Sequence, residues 1–405
     1  MLSSLHCNIK YLLLFVLISF SVPGFSQDKS PKDIITQANE LLKSSKFESA
    51  YNLLDQFDPH NKNVDIVLLK EKVALNGYIT TINHQAFAFR DLKPGETVLK
   101  YRGKVNTEKL HPFKINKVLD SLLVKFPNNF ELYRGRADFY FDVNMIYGDK
   151  WLLKQKKIYV LIENDYRVTI DAGLGDFESN YRLGLTYVQD SNFQTCFQYF
   201  EKAIALNPTN PDAHYNFAYA CLTVGDTTDA LSNAVDAAKY YVDSSEKADA
   251  ARMAGVVYGQ MGKQSKAIEY MEISNKIAPN NYNTLNILID MYLKVDNKRK
   301  AYIATENFYD LGIENPTIYN DLAEIYSSND KSEALIKYFQ SKLKSANGNM
   351  VQMGTLYFYI GRLYVGNNKD LALENLTKSA EVFSTVYKPE NPVFKLIYDT
   401  MKTLK

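Results

Sequence analysis

The chain predicts an all-α solenoid of antiparallel helix pairs, and three observations predict it. Small or apolar residues recur at a fixed interval: Gly184 and Ala218 are 34 apart, as are Gly255 and Ile289, and Ile289 and Ala323. A second small position follows the first by 12 residues, at Cys196, Ala230, Ala267 and Ala301. Glycine (18) and proline (12) are scarce for 405 residues, which suits helices joined by short turns better than a β-sandwich. Such periodicity arises where each unit cannot bury its apolar face alone and stacks on its neighbours.

The N-terminus reads as a targeting segment. Lys10 precedes an unbroken apolar run, Tyr11 to Val22, shorter than the roughly 20 residues that span a bilayer as a helix. Small residues at Gly24 and Ser26 follow, the order of a secretory signal, so residues 1–26 are expected to be removed and the mature chain to begin at Gln27. Cys7 lies before the run and cannot accept a lipid at the cleavage point. The expectation is export to the periplasm or the cell exterior, with no transmembrane span after cleavage. A peripheral association with the envelope is compatible with it.

Residues 27–64 form the first expected unit, with Ala38, Phe47 and Ala50 in register. Residues 65–176 are read as degenerate helical repeats. Register returns at Pro127, Tyr133, Ala137 and Tyr140, then slips across an insertion near 144–158. That insertion holds the single tryptophan, Trp151, with Lys150, Lys154, Lys156 and Lys157, and reads equally as a candidate binding loop or as a lengthened helix pair. Residues 91–110 fit no repeat. Clear units occupy 177–210, 211–247, 248–281 and 282–315, together 177–315. Two degenerate units occupy 316–388, where Ala323 to Ala334 and Gly361 to Ala372 are each 11 apart. Residues 389–405 read as a capping helix that keeps the last apolar face dry.

The segment Asn180 to Pro208, with Leu183, Gly184, Tyr187, Cys196, Phe200, Ala203 and Pro208 in place, resembles the tetratricopeptide repeat family. The resemblance implies a right-handed superhelix whose first helices line a groove. Its groove positions fall here on Tyr181 and Leu185, then Tyr215 and Tyr219, then Arg252 and Val256, Asn286 and Asp290, and Asn320 and Glu324. The groove is therefore expected to be aromatic in its N-terminal half and hydrogen-bonding further on. Tyrosines at helical spacing also serve as ordinary core, and that reading stands beside the first. The family's mode of gripping a C-terminal carboxylate with Lys and Asn is disfavoured, because Tyr181 and Leu185 stand where those residues belong and Asn216 alone matches.

Other functions leave little trace. A net charge of +1 argues against a nucleic-acid binder. His6, His60, His84, His111 and His214 show no metal-ligand spacing, and no phosphate loop, dinucleotide fingerprint or nucleophile elbow is present, so no catalytic residue, metal or cofactor is implied. The glycines of "GLG", Gly173 to Gly175, read as a helix stop. Cys196 and Cys221 remain after signal removal; they either pair or fill small apolar positions. The expected function is a scaffold or adaptor that binds a protein or peptide partner. The alternatives are an envelope glycan-binding protein, which a Tyr-rich surface also suits, and an enzyme with an unrecognised site in residues 65–160.

Overall fold

The computed structural model describes residues 30–104, 108–346 and 348–404. The apolar run and the cleavage expected after Ser26 lie outside the described residues. The chain divides into two compact units, one ending at Pro127 and one starting at Asn128. Most of it is helical, as the periodicity requires.

In the first unit, α1 (Pro31–Lys43) and α2 (Phe47–Phe57) pair through Ala38 and Ala50, both fully buried. Helix α3 (Val64–Gly77) packs its terminal glycine on Phe47: a Cβ there would come within 2.4 Å of the ring, so only glycine fits. Beyond α3 the chain departs from a helical reading of 65–176. Thr80–Ile82 (β1), Ala86–Ala88 (β2) and His111–Pro112 (β3) form a three-stranded antiparallel sheet in the order β1-β2-β3. The hairpin turns at Asn83 and His84, whose φ angles are +50° and +53°, a region Asn and His tolerate better than β-branched residues. Residues 91–110 contribute one helical turn, α4 (Val98–Tyr101), and a long-range cap. The Asp91 carboxylate accepts from the Ser49 backbone N–H (3.1 Å) and hydroxyl (2.6 Å), serving the otherwise uncapped start of α2. Helix α5 (Ile115–Lys125) completes the unit.

Beneath the sheet, Lys70 is almost wholly buried. Its ammonium donates to Asp55 Oδ1 (2.6 Å) and Asn61 Oδ1 (2.7 Å) and lies 4.8 Å from the Phe113 ring centre. Tyr51 stacks on Phe89 at 4.5 Å and meets His111 edge-on at 5.0 Å. A buried cation is tolerable only with such partners.

The second unit runs as successive helix hairpins: α6 (Phe130–Tyr147) with α7 (Gln155–Thr169), α8 (Phe177–Gln189) with α9 (Phe193–Leu206), and α10 (Pro211–Val224) with α11 (Thr227–Tyr240). Then come α12 (Ser244–Gln260) with α13 (Gln264–Ile277), α14 (Tyr282–Lys294) with α15 (Lys298–Tyr309), and α16 (Pro316–Ser328) with α17 (Ser332–Ser345). The last pair, α18 (Met350–Tyr364) and α19 (Lys369–Ser384), is followed by α20 (Pro392–Lys402), which buries Phe394 and Ile397.

The small residues sit where the two helices of a hairpin approach most closely. A Cβ on Gly184 would lie 3.0 Å from Phe200, and one on Gly255 the same distance from Met271. The turns use local chemistry: Asn210 and Asn281 cap α10 and α14, Pro211 opens α10, and Gly225 closes it at φ +84°. Cys196 and Cys221 are free, buried thiols, so they serve as small apolar filling and form no bridge.

Between α6 and α7 the chain makes a short turn over 148–154 instead of a long excursion. Trp151 is buried there, edge-on to Phe139 at 5.8 Å and Tyr140 at 6.1 Å. The expectation that Trp151 belongs to a binding loop is corrected accordingly: the indole is core that pins the turn to α6. Helix α7 ends in a wider turn over Ile170–Leu174, stopped by Gly173 at φ +79°.

Candidate functional site

The first helices of successive hairpins lie side by side: α8 meets α10, α10 meets α12, α14 meets α16 and α16 meets α18. Side chains at the same place on each helix therefore form rows across the repeats. The inner row, Leu183 and Gly184, Phe217 and Ala218, Ala254 and Gly255, Leu288 and Ile289, Leu322 and Ala323, is buried throughout. The neighbouring positions, Tyr181 and Leu185, Tyr215 and Tyr219, Arg252 and Val256, Asn286 and Asp290, Asn320 and Glu324, all keep contact with solvent. The change from buried to accessible within one helical turn, repeated five times, defines a strip of accessible positions.

The aromatic end of the strip is more tied into the protein than three converging anchors would be. Tyr181 stacks on Phe177 (5.5 Å), and its hydroxyl accepts from Asn216 Nδ2 at 3.1 Å. Burial, and then the carboxylates of Asp212 and Glu178, push its ionisation up, so the phenol remains a neutral donor. Tyr241, on the loop after α11, donates to Asp212 Oδ1 at 2.7 Å and meets the Tyr215 ring edge-on at 6.2 Å. Tyr215 is thus half core, and burial with Asp249 nearby raises its phenol as well. Tyr219, one turn along the same helix, is 47% exposed.

Further on, the strip is a polar ladder. Arg252 donates to Asp249 Oδ1 at 2.8 Å, while its Nε is buried with no acceptor. Asp290 accepts from Lys294 Nζ (2.6 Å) on its own helix and from Asn329 Nδ2 (2.9 Å), just past the end of α16. Asn320 donates to Glu324 Oε1 at 2.8 Å and accepts from Arg362 Nη1 at 3.1 Å, a link from α16 to α18. The Tyr282 hydroxyl donates to the Asp321 carboxylate across α14 and α16. Asn286 and Leu185 stand half-exposed on the strip.

The repeat register accounts for the rows along each helix but gives no sign of Asp212 and Tyr241. These two tie Tyr181 to Tyr215, and the register gives Tyr241 no aromatic sign because the equivalent place one repeat earlier is the polar Asn207. Among the described residues, no group of three His, Cys, Asp or Glu is placed to hold a metal ion.

Tetratricopeptide repeat models match residues 177–210 and 249–281, and another model of the same repeat matches 199–232. Residues 177–232 and 249–281 carry tetratricopeptide repeats. No curated protein matches the sequence. Similar solved structures include pilF of Pseudomonas aeruginosa, 15% identical over 54% of this chain and 96% of that one, with a TM-score of 0.40. A tetratricopeptide repeat protein from Parabacteroides merdae is 14% identical over 67% of this chain and 98% of its own, with a TM-score of 0.41. YrrB, described as a repeat protein with an unusual peptide-binding site, is 22% identical over 42% of this chain and 80% of its own, with a TM-score of 0.36. The repeats matched by sequence coincide with α8 to α11 and with α12 and α13, the part of the strip that carries Tyr181, Tyr215, Tyr219 and Arg252.

Proposed function

We propose that this chain is an exported adaptor whose repeats hold a protein or peptide partner along the accessible strip of α8 to α16. One observation carries the reading: the first helices of five successive hairpins keep the same two positions open to solvent while the adjacent two are buried. A surface of that form offers an extended or helical segment a regular series of contacts. Tyr219 is an exposed aromatic on the strip, and the part-exposed Arg252 guanidinium is held by Asp249 at 2.8 Å. Exposed tyrosine and ordered arginine are the side chains that most often concentrate binding energy at a protein interface. Export rests on the Tyr11–Val22 run with Gly24 and Ser26. Among the described residues no helix is long and apolar enough to cross a membrane.

The test is capture from an envelope fraction with the wild-type chain, followed by titration of the captured partner against Tyr219→Ala with Arg252→Ala. Affinity should fall by about 1–3 kcal/mol, with an unchanged helical spectrum. Full affinity in the double variant would move the binding surface elsewhere. Glycan-array binding without any captured protein would favour the sugar-binding alternative. Mass spectrometry of the exported chain should find Gln27 at its N-terminus, and an intact Met1 would overturn export with cleavage.

A further inference from the structure

The α6–α7 hairpin end carries exposed apolar side chains close to unpaired lysines. Helix α8 ends alongside Asn144 and Met145, where Gln189 accepts from Asn144 Nδ2 (2.5 Å) and donates to Met145 Sδ (3.1 Å). The end of α6 and the turn over 148–154 continue past that point. On this projection Met145, Ile146 and Leu152 are each between 45% and 62% exposed, and Val160 on α7 is similarly open. Interleaved with them are the exposed Lys150, Lys154 and Lys157, which make no ion pair among the described residues. Lys156 is engaged by Asp190 at 2.7 Å, and the one acid of the turn, Asp149, accepts from the Gln155 backbone N–H at 3.1 Å.

Four large aliphatic or thioether side chains in water, beside three unpaired cations, need an explanation that the peptide strip on α8 to α16 does not supply. We propose that this hairpin end docks on an anionic lipid surface, with Met145, Ile146 and Leu152 entering the acyl boundary and the three lysines reaching the headgroups. The observations favour lipid over an acidic protein. The exposed apolar side chains are aliphatic or thioether, without directional hydrogen-bonding groups, and stand among unpaired lysines, a mixture that suits a fluid anionic surface. Lysine stems reach from an apolar layer to a charged one, and their attraction adds to that of the buried apolar area. The turn is held firmly enough to insert as a unit, because Trp151 pins it to α6 and Gln155 Nε2 bonds Asn144 Oδ1 at 3.0 Å.

The placement of the single tryptophan makes the proposal directly testable. The full chain is mixed with vesicles of phosphatidylcholine alone and with vesicles containing one-third phosphatidylglycerol, and also with phosphatidylglycerol vesicles brominated on the acyl chains. Binding to the anionic vesicles, weakening as salt is raised and accompanied by bromine quenching of Trp151, is the expected result. The apolar run Tyr11–Val22 contains no tryptophan, so membrane contact through that run leaves Trp151 unquenched. Lys150→Gln with Lys154→Gln and Lys157→Gln should lower partitioning on the order of a hundredfold, at about fivefold per lysine. Ile146→Ser with Leu152→Ser should remove the quenching. All five positions are exposed, so both variants should keep the wild-type melting temperature, which circular dichroism checks. Binding without quenching, equal partitioning of the lysine variant, or no preference for anionic vesicles would each overturn the proposal. Retention of the wild type but not the lysine variant on an immobilised polyglutamate, with vesicles ignored, would assign the patch to an acidic protein instead. None of these outcomes depends on the Tyr219 and Arg252 titration, so this proposal and the adaptor reading fail separately.

Discussion

The unit ending at Pro127 buries charge, and the repeats between 177 and 346 do not. Lys70, Glu71 and Asp58 are all buried in the first, whereas no Lys, Arg, Asp or Glu among the described residues of 177–346 is buried; Asp165, buried against Arg136, lies just before that stretch. The first unit has no repeating contact pattern: Ser49 bonds Asp91, 42 residues on, Lys70 is buried against Asp55, and the sheet's third strand returns after some twenty residues. The repeats are tied by neighbours: Gly184 on Phe200, Gly255 on Met271, Tyr181 on Asn216. Long-range polar contacts make one cooperative body, while nearest-neighbour contacts make an array in which damage stays local.

The sharpest way to break that contrast is Asp55→Ala. It leaves the buried Lys70 ammonium with Asn61 and two rings, and losing one partner of a buried ion pair costs about 3–5 kcal/mol. Because Asp55 is itself half-exposed, the lower end is expected, and hydrogen exchange should show protection falling across 31–127 as a whole. Retained protection there would mean that Asn61 and the aromatic rings suffice.

Gly255→Leu probes the repeats in the same way. Its side chain meets Met271 and the Ala267 carbonyl at once, which overpacking data put at about 1–3 kcal/mol. Protection should fall in α12 to α15 and persist in α18 and α19. Uniform loss across 130–404 would show that the hairpins unfold together.

Asp176→Ala should cost about 1 kcal/mol as a lost helix cap. Its carboxylate accepts from the Ser179 N–H at 3.0 Å and pairs with Arg134 at 2.6 Å. Burial pushes its pKa up, but the Ser179 N–H and Arg134 outweigh it and leave it below the usual value. A lowered carboxyl contributes stability that is complete above the unfolded pKa of about 3.9 and is lost as pH falls through the folded value. The acid limb of the melting curve should therefore be shallower in Asp176→Asn than in wild type. The smallest effect is expected from the thiols. Burial pushes both Cys196 and Cys221 up to about 12, so alkylation at pH 8 should be negligible until denaturant is added, and reductant should leave the melting temperature unchanged. Rapid labelling of the native chain would mean that α9 and α10 open far more readily than their packing suggests.

The candidate strip was legible because the repeat period fixed the register and the resemblance to tetratricopeptide repeats said which places in it face the groove. Tyr219, Asn286 and Asp290 stand open where the 34-residue register puts them. The roles of Tyr181 and Tyr215 were not legible. A tyrosine at that period serves equally as anchor or as filling, and the choice was made by Phe177, Asn216, Asp212 and Tyr241, three of which lie 31 or more residues away from Tyr181. Trp151 escaped for a related reason. Its neighbours suggested a lysine-rich loop, while Phe139 and Tyr140, on the preceding helix, supplied a pocket for the ring.

By itself the sequence determined the helix pairs, their small-residue contacts and the accessible rows, because these depend on residues within one repeat and on a fixed turn chemistry. The tertiary structure decided the sheet of 80–112, the burial of Lys70 and Trp151, and the state of the two thiols. Each of those depends on which distant side chains arrive beside it, and a one-dimensional pattern carries period but not partners.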